Sequence, residues 1–86
     1  MIKPTIGRVV WFTPFHAADK LPQEQPNAAL IAYVHGDRCI NVGGFDANGN
    51  HFAACSVTLL QDDDLPPPNG YYAMWMPYQV KTAAAA

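Results

Sequence analysis

Apolar runs that alternate with period two, separated only by short turn signals, constrain this chain more than any other feature: they direct it to fold as strands laid back on one another. The run Ala28-Ala29-Leu30-Ile31-Ala32-Tyr33-Val34-His35 leads into Gly36-Asp37, and Arg38-Cys39-Ile40-Asn41-Val42 follows. Glycine tolerates the positive φ that the first central position of a type II′ turn requires, so a tight hairpin is expected with His35 opposite Arg38. In that register Tyr33 faces Ile40 and Ile31 faces Val42, which places four large apolar side chains on one face as the expected core. A second hairpin is expected at Asp46-Ala47-Asn48-Gly49, a type I turn closed by glycine as a bulge, with its outgoing strand from His51 to Leu60. Gly43-Gly44 in the incoming strand allows a sharp bend or a close backbone approach.

The flanks follow the same logic. Ile6 to Phe12 is rich in β-branched and aromatic residues and reads as a first strand that stops at Thr13-Pro14, where proline removes a donor. From Phe15 to Asn27 the chain turns polar, and Pro22 and Pro26 bracket Gln23-Glu24-Gln25; this predicts a long mobile loop, with a recognition loop as the rival reading. Gln61 to Leu65 leads into Pro66-Pro67-Pro68-Asn69-Gly70, and the aromatic segment from Tyr71 to Tyr78 reads as a closing strand. Gln79 to Ala86 lacks a hydrophobic stripe, so a flexible tail is expected. The sum is a mainly β fold, a five-stranded antiparallel meander curling into a small, partly open barrel of SH3-like or OB-like type. A flatter sheet packed on a helical turn is the alternative. Residues 1–78 form one domain and 79–86 the tail.

A chain of 86 residues buries only roughly 60–65% of its unfolded surface, so its hydrophobic gain barely exceeds the ordering entropy. Self-association into a homo-oligomer, or a protein partner, is one way to close that gap. Five Lys and Arg against seven Asp and Glu give a formal charge of −2 with no basic block, which argues against nucleic acid. The acidic residues are too few and too clustered to imitate DNA. The start lacks an apolar stretch before a small-residue cleavage site, and no apolar run reaches the roughly 18 residues of a membrane span, so neither secretion nor membrane insertion is expected and the cytoplasm is the default.

No catalytic set is visible, and neither a cofactor nor a metal is expected. Cys39 and Cys55 flank the second hairpin and read as reduced, semi-buried core thiols, with a disulfide as the alternative. His16, His35 and His51 lie on separate segments and read as ordinary turn and surface histidines. Asp62-Asp63-Asp64 lacks the alternating oxygen ligands and glycine of a calcium loop and reads as solvated charge. The aromatic closing segment carries more information. Tyr71, Tyr72, Met74, Trp75, Met76 and Tyr78 put large groups on both faces of a strand, so one face fills the core while the other needs a second buried environment. With Trp11 and Phe15 these are the candidate interface residues. A thin, fully occupied core with tyrosine hydroxyls reaching solvent explains the same residues without a partner.

The opening Pro4-Thr5-Ile6-Gly7-Arg8-Val9-Val10-Trp11-Phe12, the Asp46–Gly49 turn, and Trp75 with Pro77 near the end resemble a family of small proteins encoded by tailed bacteriophages and prophages. The resemblance covers about residues 4–78 and implies a phage source. Many members of that family end in two tryptophans flanking a histidine, where this chain has Met74-Trp75-Met76. The expectation is a non-catalytic, phage-encoded binding module acting in the host cytoplasm on a host or phage protein, with an accessory or anti-defence role. Two alternatives stand beside it: a small virion subunit of decoration or tail-associated type, and an oligomeric sponge that holds a small ligand between subunits.

Overall fold

The computed structural model describes residues 1–17 and 25–85. Five strands and one helix follow in order: β1 (Val9–Ala17), β2 (Asn27–Gly36), β3 (Cys39–Phe45), β4 (His51–Leu60), β5 (Asn69–Met74) and α1 (Pro77–Ala85). The strands close into a barrel in the order β1-β2-β3-β4-β5, with β5 returning to pair with β1. This is a small mainly β barrel consistent with the SH3-like or OB-like type.

Closure corrects one expectation. A ring with an odd number of strands cannot alternate direction all the way round, so one neighbouring pair must run parallel. That pair is β4 and β5, with Thr58 opposite Tyr72, Leu59 opposite Ala73 and Leu60 opposite Met74. A connector over residues 61–68 carries the chain back between them, and Pro66-Pro67-Pro68 favours the extended path this return needs. The barrel is therefore closed and mixed, rather than a partly open antiparallel meander.

The second hairpin forms as its residues dictate. Gly49 adopts φ +83°, its amide donates to the Asp46 carbonyl at 3.0 Å, and Asp46 Oδ1 accepts from the Asn48 and Asn50 amides. The first hairpin differs from expectation. Gly36 stays in β2 opposite Cys39, the turn falls on Asp37 and Arg38, and β2 shifts register between Ile31 and Tyr33 and again between Val34 and Gly36. Ile31 still faces Val42, but the extra residue turns Tyr33 outward opposite Asn41, and Val34 takes its place opposite Ile40. Tyr33 thus leaves the core and packs its ring edge-on to His35.

β1 also runs on past Pro14. The proline sits where the register with β5 shifts between Thr13 and His16, a position at which a missing amide costs no ladder bond. Of the expected loop, Phe15 to Ala17 belong to β1 and Asn27 to β2; residues 18–24, most of the proposed recognition loop, lie outside the described residues.

The core is built from inward positions of every strand: Val10, Phe12, Ala29, Ile31, Ile40, Val42, Val57, Leu59 and Ala73, together with Trp75. Gln61 is buried among them with all its hydrogen-bonding capacity used. Its Oε1 accepts from the Ile2 amide and from Trp75 Nε1, and its Nε2 donates to the Ile2 and Asp37 carbonyls. One side chain thereby joins the N-terminal segment, the first hairpin and the indole.

The flexible tail is a second correction, because residues 77–85 are helical. Pro77 occupies the first helical position, where its fixed φ helps and its missing amide is not needed. Gln79 Oε1 accepts from the Met76 amide at 2.8 Å, the reciprocal half of a capping box, and Gln79 Nε2 donates to the Val9 carbonyl. Alanines alone would not nucleate a helix; this cap and the tie to β1 supply the start.

Candidate functional site

Which side chains face water is settled by the register. Along β5 and into the residue after it, Ala73 and Trp75 are buried; Tyr71, on their side, is 40% exposed, while Tyr72 is half-buried and Met74 exposed on the opposite side. Trp75 is only 4% exposed, its indole bonded to Gln61 and its ring face 5.1 Å from the Arg8 guanidinium carbon, so it is a core residue and not part of an exposed interface. Tyr71 leans over Phe12, which stacks on Phe52, and its hydroxyl donates to the Cys55 carbonyl at 2.7 Å. The structure therefore divides the aromatic segment: Trp75 fills the core, Tyr71 covers one end of it, and Tyr72 and Met74 remain on the outside. Met76 is half-buried before α1, and Tyr78 stands exposed on the helix. Trp11 is half-buried and faces outward beside Met74; of Phe15 only the backbone, within β1, is described.

Direct cross-strand partners share a face, so the pairings trace rows around the outer wall. One row runs Met74, Trp11, Ala28, Phe45, His51 from β5 to β4, and the next runs Val9, Leu30, Gly43, Ala53. Phe45 is 54% exposed and Leu30 49%. None of the five strands contains an Asp, Glu, Lys or Arg; among the described residues every such side chain belongs to a connector, a terminal segment or the helix. Surface strands of soluble domains normally carry charge on the solvent side. Here the wall carries aliphatic and aromatic groups instead.

A groove of about 590 Å³ opens in this wall. Ile6, Val9, Leu30, Phe45 and Phe52 line it, and Gly43 and Gly44 leave part of its floor as bare backbone. Ile6 reaches the groove from a turn in which the Arg8 amide donates to the Thr5 carbonyl and Gly7 takes φ +92°, the left-handed position that a type II turn reserves for glycine. The turn is pinned to β2 because the Gly7 amide donates to the Ile31 carbonyl and the Ile31 amide to the Arg8 carbonyl. Gly44 is required for the close approach of β2 and β3: a Cβ there would collide with the Ala28 carbonyl oxygen and come within 2.7 Å of the Ala29 Cα.

Of the groups singled out for chemistry, His35, Asp62 and Asp64 are engaged in structural bonds, and the side chain of His16 lies outside the described residues. His35 Nε2 lies 3.0 Å from Asn41 Oδ1, which also accepts from the Ser56 amide at 2.8 Å. Ser56 sits at φ 51° where β4 shifts register against β3, so Asn41 satisfies the amide that the bulge leaves over. His51 lines the groove. Cys39 is half-buried and Cys55 exposed, both free, so Cys55 is not the core thiol expected. Two of the three aspartates, all of them at least partly solvated, also have partners. Asp64 pairs with Arg38 at 2.7 Å and accepts from the Gln61 amide, and Asp62 pairs with the Met1 amino group at 3.1 Å. The Arg38 guanidinium and the Gln61 amide hold the Asp64 carboxyl below the usual carboxylate range, and Asp64 in turn raises Arg38. Among the described residues no three His, Cys, Asp or Glu side chains converge as a metal site would require, and no helix is long and apolar enough to cross a membrane.

Leu30, Phe45, Val9 and Ile6 were not singled out as site residues from the sequence, and Gly43 only as a place for a bend or a close backbone approach. Part of the signal was present in where charge is missing: Arg8 and Arg38 are the only ionic residues in the runs expected as strands, and the structure leaves both outside β1 and β3. Compared with protein families, curated proteins and solved structures, the chain finds no match in any of the three.

Proposed function

We propose that this chain is a non-catalytic binding module that docks onto a protein partner through the uncharged outer wall of its barrel. The observation that carries this is the continuous row Met74–Trp11–Ala28–Phe45 with Leu30 beside it, on strands without a single ionic side chain. Contiguous exposed apolar surface of this kind marks interaction sites on soluble domains. Trp, Met and Phe in the row belong to the residue types that concentrate in interface cores. The site proposed is thus Trp11, Tyr72 and Met74 from the aromatic group, extended to Leu30 and Phe45, with Trp75 holding the barrel from within. The likeness of residues 4–12 and of Trp75 with Pro77 to small tailed-phage proteins supports a phage-encoded protein that meets a host or phage protein in the bacterial cytoplasm.

Immobilised wild type and a Phe45→Lys, Met74→Lys variant, each checked for an unchanged circular dichroism spectrum, are exposed to bacterial lysate. A discrete protein retained by the wild type and lost by the variant supports the wall as the docking face. Equal recovery by both refutes it. The same wall also suits a virion subunit whose apolar face is covered by symmetric neighbours. Mass spectrometry of purified particles tests that reading, and absence of the chain from them removes it.

A further inference from the structure

Leu30 and Gly43 are direct partners across β2 and β3 on the outer face. A large projecting side chain therefore stands about 5 Å from a position with no side chain at all. A knob beside a hole on one surface is self-complementary. A two-fold axis passing between them sets Leu30 of each copy over Gly43 of the other. We propose that the groove is the contact between two copies of this chain, related by such a two-fold; the proposal rests on the docking role of the wall and names its occupant.

Three further observations select a second copy. A two-fold brings like residues together, so a charged face repels itself, and this wall carries no charge to do so. The groove is lined by apolar residues apart from His51, so its occupant must be apolar, and the chain itself offers Ile6 and Phe45 at its margins, 69% and 54% exposed. The area is sufficient. With Leu30 at 49% and Met74 at 36%, these four exposed residues and the small ones between them present roughly 500 Å² per copy, taking ~200 Å² for a large free side chain. Two copies then bury about 1,000 Å², the lower bound for a specific interface, which predicts a reversible dimer with Kd in the micromolar range or weaker.

The test is sedimentation equilibrium of the full chain from 5 µM to 1 mM, with Leu30→Lys and Gly43→Val as variants; these concentrations bracket roughly the expected affinity range. A Cβ at Gly43 meets only the Phe52 carbonyl oxygen at 3.7 Å, an ordinary contact, so filling the hole leaves the barrel intact, and circular dichroism verifies this. The expected result is a wild-type mass rising from monomer to dimer, with association weakened at least about tenfold by either variant, the equivalent of losing 1.4 kcal/mol. A wild type that stays monomeric throughout overturns the proposal. So does a dimer whose affinity neither variant changes. Either failure is distinct from failure of the wall as a docking face, which the Phe45→Lys, Met74→Lys capture experiment decides separately.

Discussion

The adjacent glycines of β3 allow a sharp test of the packing argument, because the same substitution at neighbouring positions has opposite consequences. Gly44→Ala forces a methyl group into the Ala28 carbonyl oxygen, with the Ala29 Cα at 2.7 Å and the Ala28 carbonyl carbon at 3.0 Å, all of it backbone that no rotamer change relieves. To reach an ordinary contact of 3.4 Å or more, β2 and β3 must part by roughly 1 Å where Ala29 faces Gly44. Overpacking of this kind costs about 1–3 kcal/mol, and one or two weakened ladder hydrogen bonds add about 1 kcal/mol each. The lower entropy of the unfolded alanine chain offsets about 0.5–1 kcal/mol, leaving a net loss of about 3 kcal/mol. For 86 residues the total stability is about 4–13 kcal/mol, so the variant survives only marginally. Gly43→Ala meets nothing closer than 3.7 Å and takes no left-handed φ, so it shifts stability by no more than about 0.5 kcal/mol, on the stabilising side. Urea unfolding followed by Trp fluorescence reads both; with m near ~1–1.5 kcal/mol/M the Gly44→Ala midpoint falls by about 2 M. Equal midpoints for the two variants, or a Gly44→Ala loss under about 1 kcal/mol, would show that the close approach of β2 and β3 does not constrain the fold.

Other expectations rest on named contacts. Gln61→Leu leaves the Trp75 indole, both Ile2 backbone groups and the Asp37 carbonyl without their partner; the loss is about 2–4 kcal/mol with a red-shifted Trp75 emission, and a stability within about 1 kcal/mol of wild type contradicts the hub assignment. The Asp64 carboxyl binds its proton less readily in the folded chain than in the unfolded one, so its contribution is present above about pH 4 and is lost as the pH falls through its lowered value. Asp64→Asn therefore flattens the acid limb of the stability curve, and an unchanged limb removes the Arg38 pairing from the account. Gly49→Ala, at φ +83°, costs about 1 kcal/mol in thermal unfolding and leaves the strand register as it is; heteronuclear NMR showing shifted β3–β4 pairings would contradict the second part.

Much of the fold is legible in residue order. The second hairpin follows from Asp46 and Gly49, whose side chain and backbone freedom form the turn without help from elsewhere, and β4 runs between the limits that its apolar run implies. Period two also separates Tyr71, Ala73 and Trp75 from Tyr72 and Met74. It does not say which set faces the core. That depends on the pairings with β1 and β4, and these place Trp75 inside against Gln61, a residue without any local signal of burial. The proposed site was half visible for the same reason: Trp11, Tyr72 and Met74 belong to a conspicuous aromatic group, while Leu30, Phe45 and Gly43 become neighbours only across strands.

The sequence by itself determined that five runs form strands, the bounds of β4 and the turn at Asp46–Gly49, since each depends on residues next to one another. Only the tertiary structure decided the closure of the ring, its one parallel pair, the outward rotation of Tyr33 and the helix at the end. A bulge of one residue reverses the later side chains of a strand, and its leftover amide is satisfied from another strand, as Asn41 does for Ser56; the helix is likewise tied down from a distance, by Gln79 on the Val9 carbonyl.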